Sequence, residues 1–250
     1  MALNLIVCLK RVPDTTARIA VGPDGRRINP EGIDTIINPY DEFAIEEALK
    51  IREVHGGEVV GVTLDPDGNE TILRKALAMG VDRGVLVVGG DPFDAAATAE
   101  ILASVLRSIP FDLLLFGKQS IDSDAYAVPG MVAHRLGLPR ATVVVRLTVG
   151  DRRVTVHRQI EGAEEVLELP MPCLIAAQKG LNEPRFPSLK GIMQAKKKPL
   201  ERRDAPPVEP RIEILRMEPP PPRPAGRIVG EGPGAAAELL RLLREEAKVL

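Results

Sequence analysis

The feature that most constrains this chain is the regular return of short apolar runs separated by amphipathic stretches. Leu3–Leu9, Glu58–Leu64, Gly84–Val88, Asp112–Phe116 and Ala141–Val149 are β-rich and flanked by Gly, Pro or Asp. Such runs read as buried parallel strands. Between them lie Asp41–Val54, Asn69–Met79, Asp94–Arg107 and Ala125–Leu136, patterned as amphipathic helices. Asp41, followed by Glu42, reads as a helix N-cap, and Gly80 after Met79 as a helix stop. Strand–helix–strand alternation implies an α/β fold with a doubly wound, mostly parallel sheet.

Two insertions interrupt the alternation. Pro23-Asp24-Gly25 is a turn signal that predicts a hairpin between Arg18 and Ile37. Arg153–Gln159 and Glu165–Leu169 read as antiparallel strands around Glu161-Gly162-Ala163. The alternation ends after Cys173–Ala177. The spacing therefore predicts a main domain over 1–178, a loop-like basic segment over 179–204 and a proline-rich arm over 205–250. Eight of the 23 prolines fall between Pro206 and Pro224. Pro219–Pro222 predicts a stiff polyproline spacer, because proline fixes φ. A helix follows, roughly Gly234–Val249, carrying Leu239, Leu240, Leu242 and Leu243. Such a face needs something to bury it, and a partner subunit would serve.

Composition removes several function classes. A net charge of −2 argues against a generic nucleic-acid binder, and 3% aromatic residues against a base-stacking platform. No apolar run approaches the roughly 18 residues of a membrane span. The start, Met-Ala-Leu-Asn-Leu-Ile-Val, has no basic stretch or small-residue cleavage site, so a cytoplasmic protein is expected. Cys8 and Cys173 form no C-x-x-C pair, and His55, His134 and His157 have no metal-ligand spacing. Ser188 lies in no nucleophile elbow. No catalytic residue and no metal site is expected.

Ligands of doubly wound sheets collect at the carboxyl ends of strands, near the point where strand order reverses. Three loops qualify: the one after Leu9, Asn38-Pro39-Tyr40-Asp41, and Gly117 through Asp124. The third leads into the helix expected from Ala125, whose first amides could hold a phosphate. Ser120 and Ser123 could donate to phosphate oxygens, while Asp122 and Asp124 could accept from ribose hydroxyls or cap the helix. Ordinary capping by Asp and Ser is the competing reading. Neither G-x-x-x-x-G-K-[ST] nor a G-x-G-x-x-G after the first strand occurs. Gly230, Gly232 and Gly234 lack a preceding strand and read as a lead into the last helix.

The segment from Gly180 is unusual in another way. Leu181 and Phe186 are apolar residues in a stretch that should be exposed. From Arg185 to Arg203 there are seven basic residues and one acid, Glu201, a local charge of +6. A solvated basic face is the ordinary reading. An apolar anchor beside basic charge also suits docking to an acidic partner.

Taken in order, the stretches VCLKRV (7–12), NPYDEFAIEEA (38–48), KALAMGVDRG (75–84), GKQSIDSD (117–124) and LNEPRFPSLKGIMQAKKK (181–198) give the chain its family likeness. The sequence resembles the beta subunit of electron transfer flavoproteins along nearly its whole length, and the last stretch is the most specific.

That resemblance implies an electron carrier, not an enzyme in its own right. It implies a heterodimer with an electron transfer flavoprotein alpha subunit, FAD held mainly with alpha, and a structural AMP in an adenine-nucleotide-binding-like beta fold. Electrons would arrive from flavin dehydrogenases and leave to a quinone reductase or another acceptor. The AMP site would use Cys8, Asn38, Tyr40, Asp41 and Leu64. It would also use Lys118, Gln119, Ser120, Ile121, Asp122, Ser123, Asp124, Ala125, Tyr126, Ala127, Val128, Pro129 and Gly130. Cys8 stands where many members have alanine, and Ala125–Gly130 departs from the Asn-x-Thr-Gly pattern of some. The partner-recognition loop would comprise Leu181, Asn182, Glu183, Pro184, Arg185 and Phe186, with Leu181 as anchor. Lys190, Lys196, Lys197 and Lys198 would provide its charge and include positions methylated in some members. The arm would reach toward alpha. Two alternatives stay open: an electron-bifurcating form with a second FAD in the beta pocket, and a stand-alone adenine-nucleotide-binding protein.

Overall fold

The computed structural model describes residues 1–90, 94–222 and 225–250. Arg223 and Pro224, in the proline-rich stretch, lie outside the described residues. The chain begins with β1 (Leu3–Leu9), a short β2 (Arg11–Pro13) and β3 (Thr35–Ile37), and α1 (Pro39–His55). It continues through β4 (Gly57–Asp65), α2 (Thr71–Met79), β5 (Arg83–Val88), α3 (Ala95–Leu106), β6 (Leu113–Gly117) and α4 (Val128–Leu136). Next come β7 (Arg140–Val149), β8 (Arg153–Ile160), β9 (Ala163–Pro170), β10 (Cys173–Ala177), α5 (Leu189–Ala195), β11 (Leu200–Asp204) and α6 (Ala235–Glu245).

The main sheet has the order β11-β5-β4-β1-β6-β10-β7-β8-β9. It is parallel from β11 to β7 and antiparallel through β8 and β9. Winding reverses at β1: the chain first lays β4 and β5 on one side of it, then β6 on the other. Side chains alternate across β1 with the strand period of two. Leu3, Leu5, Val7 and Leu9 enter a core shared with α1 and α2, while Ile6 and Cys8 enter a second core shared with α3 and α4. This is the doubly wound α/β fold that the alternation predicts.

The expected hairpin near Pro23-Asp24-Gly25 is present as a tight turn closed by a Val21–Ile28 bridge. Asp24 accepts from the amides of Arg26 and Arg27, and Gly25 supplies a φ of +64°. The antiparallel pair after Arg152 also forms, as β8 and β9.

Three expectations need correction. The basic segment is not loop-like throughout: it holds α5 and β11, and β11 joins the main sheet beside β5. Its sequence, LERRD, lacks an apolar pattern because it is an edge strand held by backbone pairing, with only Leu200 packed on the core. α4 starts at Val128 and not near Ala125. Asp41 is not the cap of α1; the helix starts at Pro39 after Asn38, and the Asp41 side chain turns into the sheet.

The arm is tied down over its first half. Ala205 and Val208 pack on the second core, and Met217 N–H donates to Gly25 O at 2.8 Å. Asp94, wholly buried, accepts the Ala97 amide through Oδ1 as the N-cap of α3; its Oδ2 accepts from the Arg211 and Ile212 amides. The second half ends in α6, which has no buried residue.

Candidate functional site

The carboxyl ends of β1, β4 and β6 surround a cleft at the winding reversal. Its floor is organised by Asp41. One carboxylate oxygen accepts from Lys10 N–H at 2.8 Å; the other accepts from Asn38 Nδ2 at 2.9 Å and Gly117 N–H at 3.0 Å. Asp41 thus joins the ends of β1 and β6 to the first turn of α1. Asn38 extends the join: its Nδ2 also donates to Gln119 O at 2.8 Å, and its Oδ1 accepts from Ile121 N–H at 3.2 Å. Burial pushes the Asp41 carboxyl up to about 7, against the opposing pull of Asn38, the two amides and the Lys10 charge. Gly117 is required here, because a Cβ would collide with the Asp41 carboxylate and Tyr40.

Cys8, Leu64, Leu102, Phe116 and Val128 extend the second core into an apolar wall of the cleft. Burial, with Asp41 nearby, raises the Cys8 thiol well above its ordinary value, so it is a neutral wall group and not a nucleophile. The opposite wall is polar. Lys10 Nζ lies 2.8 Å from Asp122 and 3.2 Å from Ser120 Oγ; Ser120 Oγ is 3.0 Å from Ser123 Oγ. Gln119 Oε1 is buried without a hydrogen-bond partner among the described residues. The loop between β6 and α4 bends sharply, with Asp124 and Tyr126 at φ of 48° and 53°. Lys118 Nζ sits 5.0 and 4.9 Å from the ring centres of Tyr40 and Tyr126 and donates to the Tyr126 hydroxyl at 2.7 Å.

Of the residues singled out in sequence, Cys8, Asn38, Asp41, Leu64, Gln119, Ser120, Ser123, Ala125, Tyr126, Ala127, Val128 and Pro129 meet around this cleft. Tyr40 and Lys118 stack at its side. Ile121 contributes a backbone amide to Asn38, Asp122 pairs with Lys10, and Asp124 accepts from Gln119 Nε2. Gly130 lines a neighbouring shallow groove with Ala96, Met131, Arg107 and His134. Sequence reasoning missed Lys10, Pro66, Gly89, Gly90, Ala95, Thr98, Leu102 and Phe116 as lining residues. The signal for Lys10 was its place directly after β1. Among the described residues, no group of three His, Cys, Asp or Glu side chains could hold a metal ion.

The segment over 181–198 is fastened at both ends. Leu181, the expected anchor, is half-buried against the first core; the exposed apolar side chains are Phe186 (94%) and Leu189 (85%), with Ile192 and Met193. Asn182 Nδ2 donates to Phe43 O at 3.0 Å and to Glu47 at 2.9 Å. Arg185 grips the buried Glu46 through both carboxylate oxygens and reaches Glu53 at 2.5 Å. Glu183, Lys190, Lys196 and Lys197 are exposed. Lys198 is the exception among the lysines: its ammonium donates to Leu77 O at 3.0 Å and Val81 O at 2.6 Å, at the carboxyl end of α2. It is a helix cap and not a free surface charge.

A doubly wound α/β chain with a strand-end cleft at its winding reversal is the class that these observations define. The chain belongs to the electron transfer flavoprotein family: the family model "Electron transfer flavoprotein domain" matches residues 27–208. It is 39% identical to "Electron transfer flavoprotein subunit beta" of Bacillus subtilis, over 99% of this chain and 100% of that one. It is 35% identical to the mitochondrial subunit beta of Arabidopsis thaliana, over 99% of this chain and 100% of the relative. It is also 40% identical to "Protein FixA" of Azorhizobium caulinodans, over 77% of this chain and 72% of the relative. Membership of this family implies an association with flavin and electron transport. Among the described residues, no helix is long and apolar enough to cross a membrane.

Proposed function

We propose that this chain is the nucleotide-holding subunit of a two-chain electron carrier, with a structural AMP in the strand-end cleft. The observation that carries the reading is the cleft's division into an apolar wall and a polar wall with an unpaired acceptor. A purine fits against Cys8, Leu64, Phe116 and Val128, and its amino group satisfies Gln119 Oε1. The phosphate lies toward Lys10, Ser120, Ser123 and the first turn of α4. FAD, held with an alpha subunit, would supply the electron-transfer chemistry. The chain's own residues bind the nucleotide and present docking surfaces, so the subunit is a carrier component and not an enzyme by itself.

α6 supports the alpha-subunit partner. Leu239 and Leu240 are about half exposed, and an eleven-residue helix without burial is marginal in water. Flavin dehydrogenases would dock at Phe186, Leu189 and Met193 beside Lys190, Lys196 and Lys197. A quinone reductase or another carrier would accept the electrons. The two buried free cysteines suit a cytoplasmic setting.

A second reading, with a second FAD in this chain and electron bifurcation, has one structural support. The cleft shares Ala127 with the groove along α3 and α4, giving a ligand longer than AMP a path onward. The relatives also include "Caffeyl-CoA reductase-Etf complex subunit CarD" of Acetobacterium woodii. Mass spectrometry of nucleotides released from the purified two-chain complex separates the readings. One FAD and one AMP are expected; two FAD would support the second reading, and no adenine nucleotide beyond a single FAD would refute both.

A further inference from the structure

α2 and α5 cap each other. Lys198, just after α5, donates to Leu77 O and Val81 O at the end of α2, as above. In return Arg74, on α2, donates through Nη1 to Ala195 O at 2.9 Å and Lys198 O at 3.3 Å at the end of α5. The helices also touch through backbone, since a Cβ on Gly191 would collide with Ala78 O. Carbonyls at helix ends lack intrahelical partners, so each cation satisfies groups that would otherwise be orphaned. A seven-residue helix with one buried side chain, Ala195, has little else to hold it.

We propose that Arg74 and Lys198 are positioning residues for partner docking, holding α5 preformed so that Leu189 and Met193 meet the electron donor as a rigid surface. This rests on the docking reading given above. A preformed surface avoids the ordering entropy that a loose loop would lose on binding. The neighbouring Lys197 is exposed and makes no ion pair with any described residue, so two adjacent lysines have opposite roles: Lys197 steers the partner by charge, and Lys198 holds the surface in shape.

The test uses the flavin-loaded two-chain complex, full length, with a flavin-dependent dehydrogenase reduced by its own substrate as probe. Lys198→Met and Arg74→Met are each compared with Lys197→Met and Leu189→Ala. Amide hydrogen exchange over 189–198 should quicken about tenfold or more in the two capping variants and stay unchanged in Lys197→Met. KM for the dehydrogenase should rise severalfold in the capping variants, with kcat and flavin content unchanged. Lys197→Met should instead flatten the salt dependence. Unchanged exchange in both capping variants, or faster exchange without a rise in KM while Leu189→Ala does raise it, overturns the positioning role and leaves the docking reading standing. An unaltered KM in Leu189→Ala, with the salt dependence unaltered in Lys197→Met, overturns the docking reading and this inference with it.

Discussion

Asp94 does two jobs with two oxygens, and one atom's exchange separates them. Oδ1 caps α3 through the Ala97 amide at 2.8 Å, while Oδ2 receives the Arg211 and Ile212 amides of the arm. Asp94→Ala removes both. Loss of the cap costs about 1 kcal/mol, within a range of about 0.5–2. The arm amides can escape to water, so they need not add the full penalty of buried, unpaired donors. The melting temperature should therefore fall by roughly 1–8 °C, at about 2–4 °C per kcal/mol for a chain of this size. Asp94→Asn keeps an acceptor for Ala97 but turns an amide N–H toward the arm. Its melting temperature should stay close to wild type while the arm comes loose. A hydrogen bond to a charged group contributes about 1.5–3 kcal/mol, so exchange protection at Arg211 and Ile212 should drop about 10- to 100-fold in both variants. Burial would raise the Asp94 carboxyl, but the amides of Ala97, Arg211 and Ile212 outweigh it and hold the group below its ordinary value near 3.8. A lowered carboxyl contributes stability that is present above that ordinary value and lost as pH falls through its folded value. Arm protection in wild type should therefore fade below about pH 4, and in Asp94→Asn it should show no such step. Hydrogen exchange read by mass spectrometry measures all of this. Wild-type protection of 211–212 in Asp94→Asn would show that the arm is held by its other contacts and refute the two-oxygen account.

Three further outcomes follow from the same geometry. Gly117→Ala forces a methyl group into the Asp41 carboxylate and Tyr40, and should lower stability by about 1–3 kcal/mol in urea unfolding, with loss of bound nucleotide. Lys10→Met should leave stability within about 1 kcal/mol, because a partly exposed pair with Asp122 contributes little, while weakening retention of AMP in equilibrium dialysis; undiminished retention would move the phosphate away from Lys10. Arg185→Ala leaves the buried Glu46 carboxylate without its bidentate partner and should cost about 2–4 kcal/mol by denaturant unfolding, less than a fully buried pair because Arg185 is partly exposed; Arg185→Lys, whose ammonium lacks the two-donor fork, should recover only part of that loss.

The central parallel strands β1, β4, β5, β6 and β10 were legible because burial on both faces leaves an unbroken apolar run in the sequence. β11 left no such mark: its residues read LERRD, and the sheet holds it through backbone groups that every residue carries. α5 was hidden for a related reason, since its fastening comes from Arg74 on another helix. Asp41 shows a different limit. An acid at a helix start has the same signature whether its carboxylate caps the helix or braces a neighbouring strand, and only the path of β6 decides between them. In the cleft, the loop over 118–130 announced itself by its polar residues. Gly89 and Gly90 did not, because their contribution is the absence of side chains at the end of β5, where φ reaches +121° and +82°.

Charge counted along the sequence gave the 185–203 segment +6, but the fold divides that charge by function. Arg185 is bound to Glu46 and Glu53, Lys198 to the end of α2, Arg203 to Glu201, and Arg202 to Gly68 O. Lys190, Lys196 and Lys197 are left exposed, with no ion pair to any described residue. They flank Leu189 and Met193, so the free charge and the free apolar surface coincide on α5 and the turn after it. Cations engaged by carbonyls or carboxylates cannot also meet a partner without releasing those groups, which would leave orphaned carbonyls or an unpaired buried carboxylate behind. The charge that a docking partner would contact directly therefore comes from about three lysines, while Lys198 and Arg202, bonded to neutral carbonyls, keep their charge and still add to the longer-range field that steers its approach.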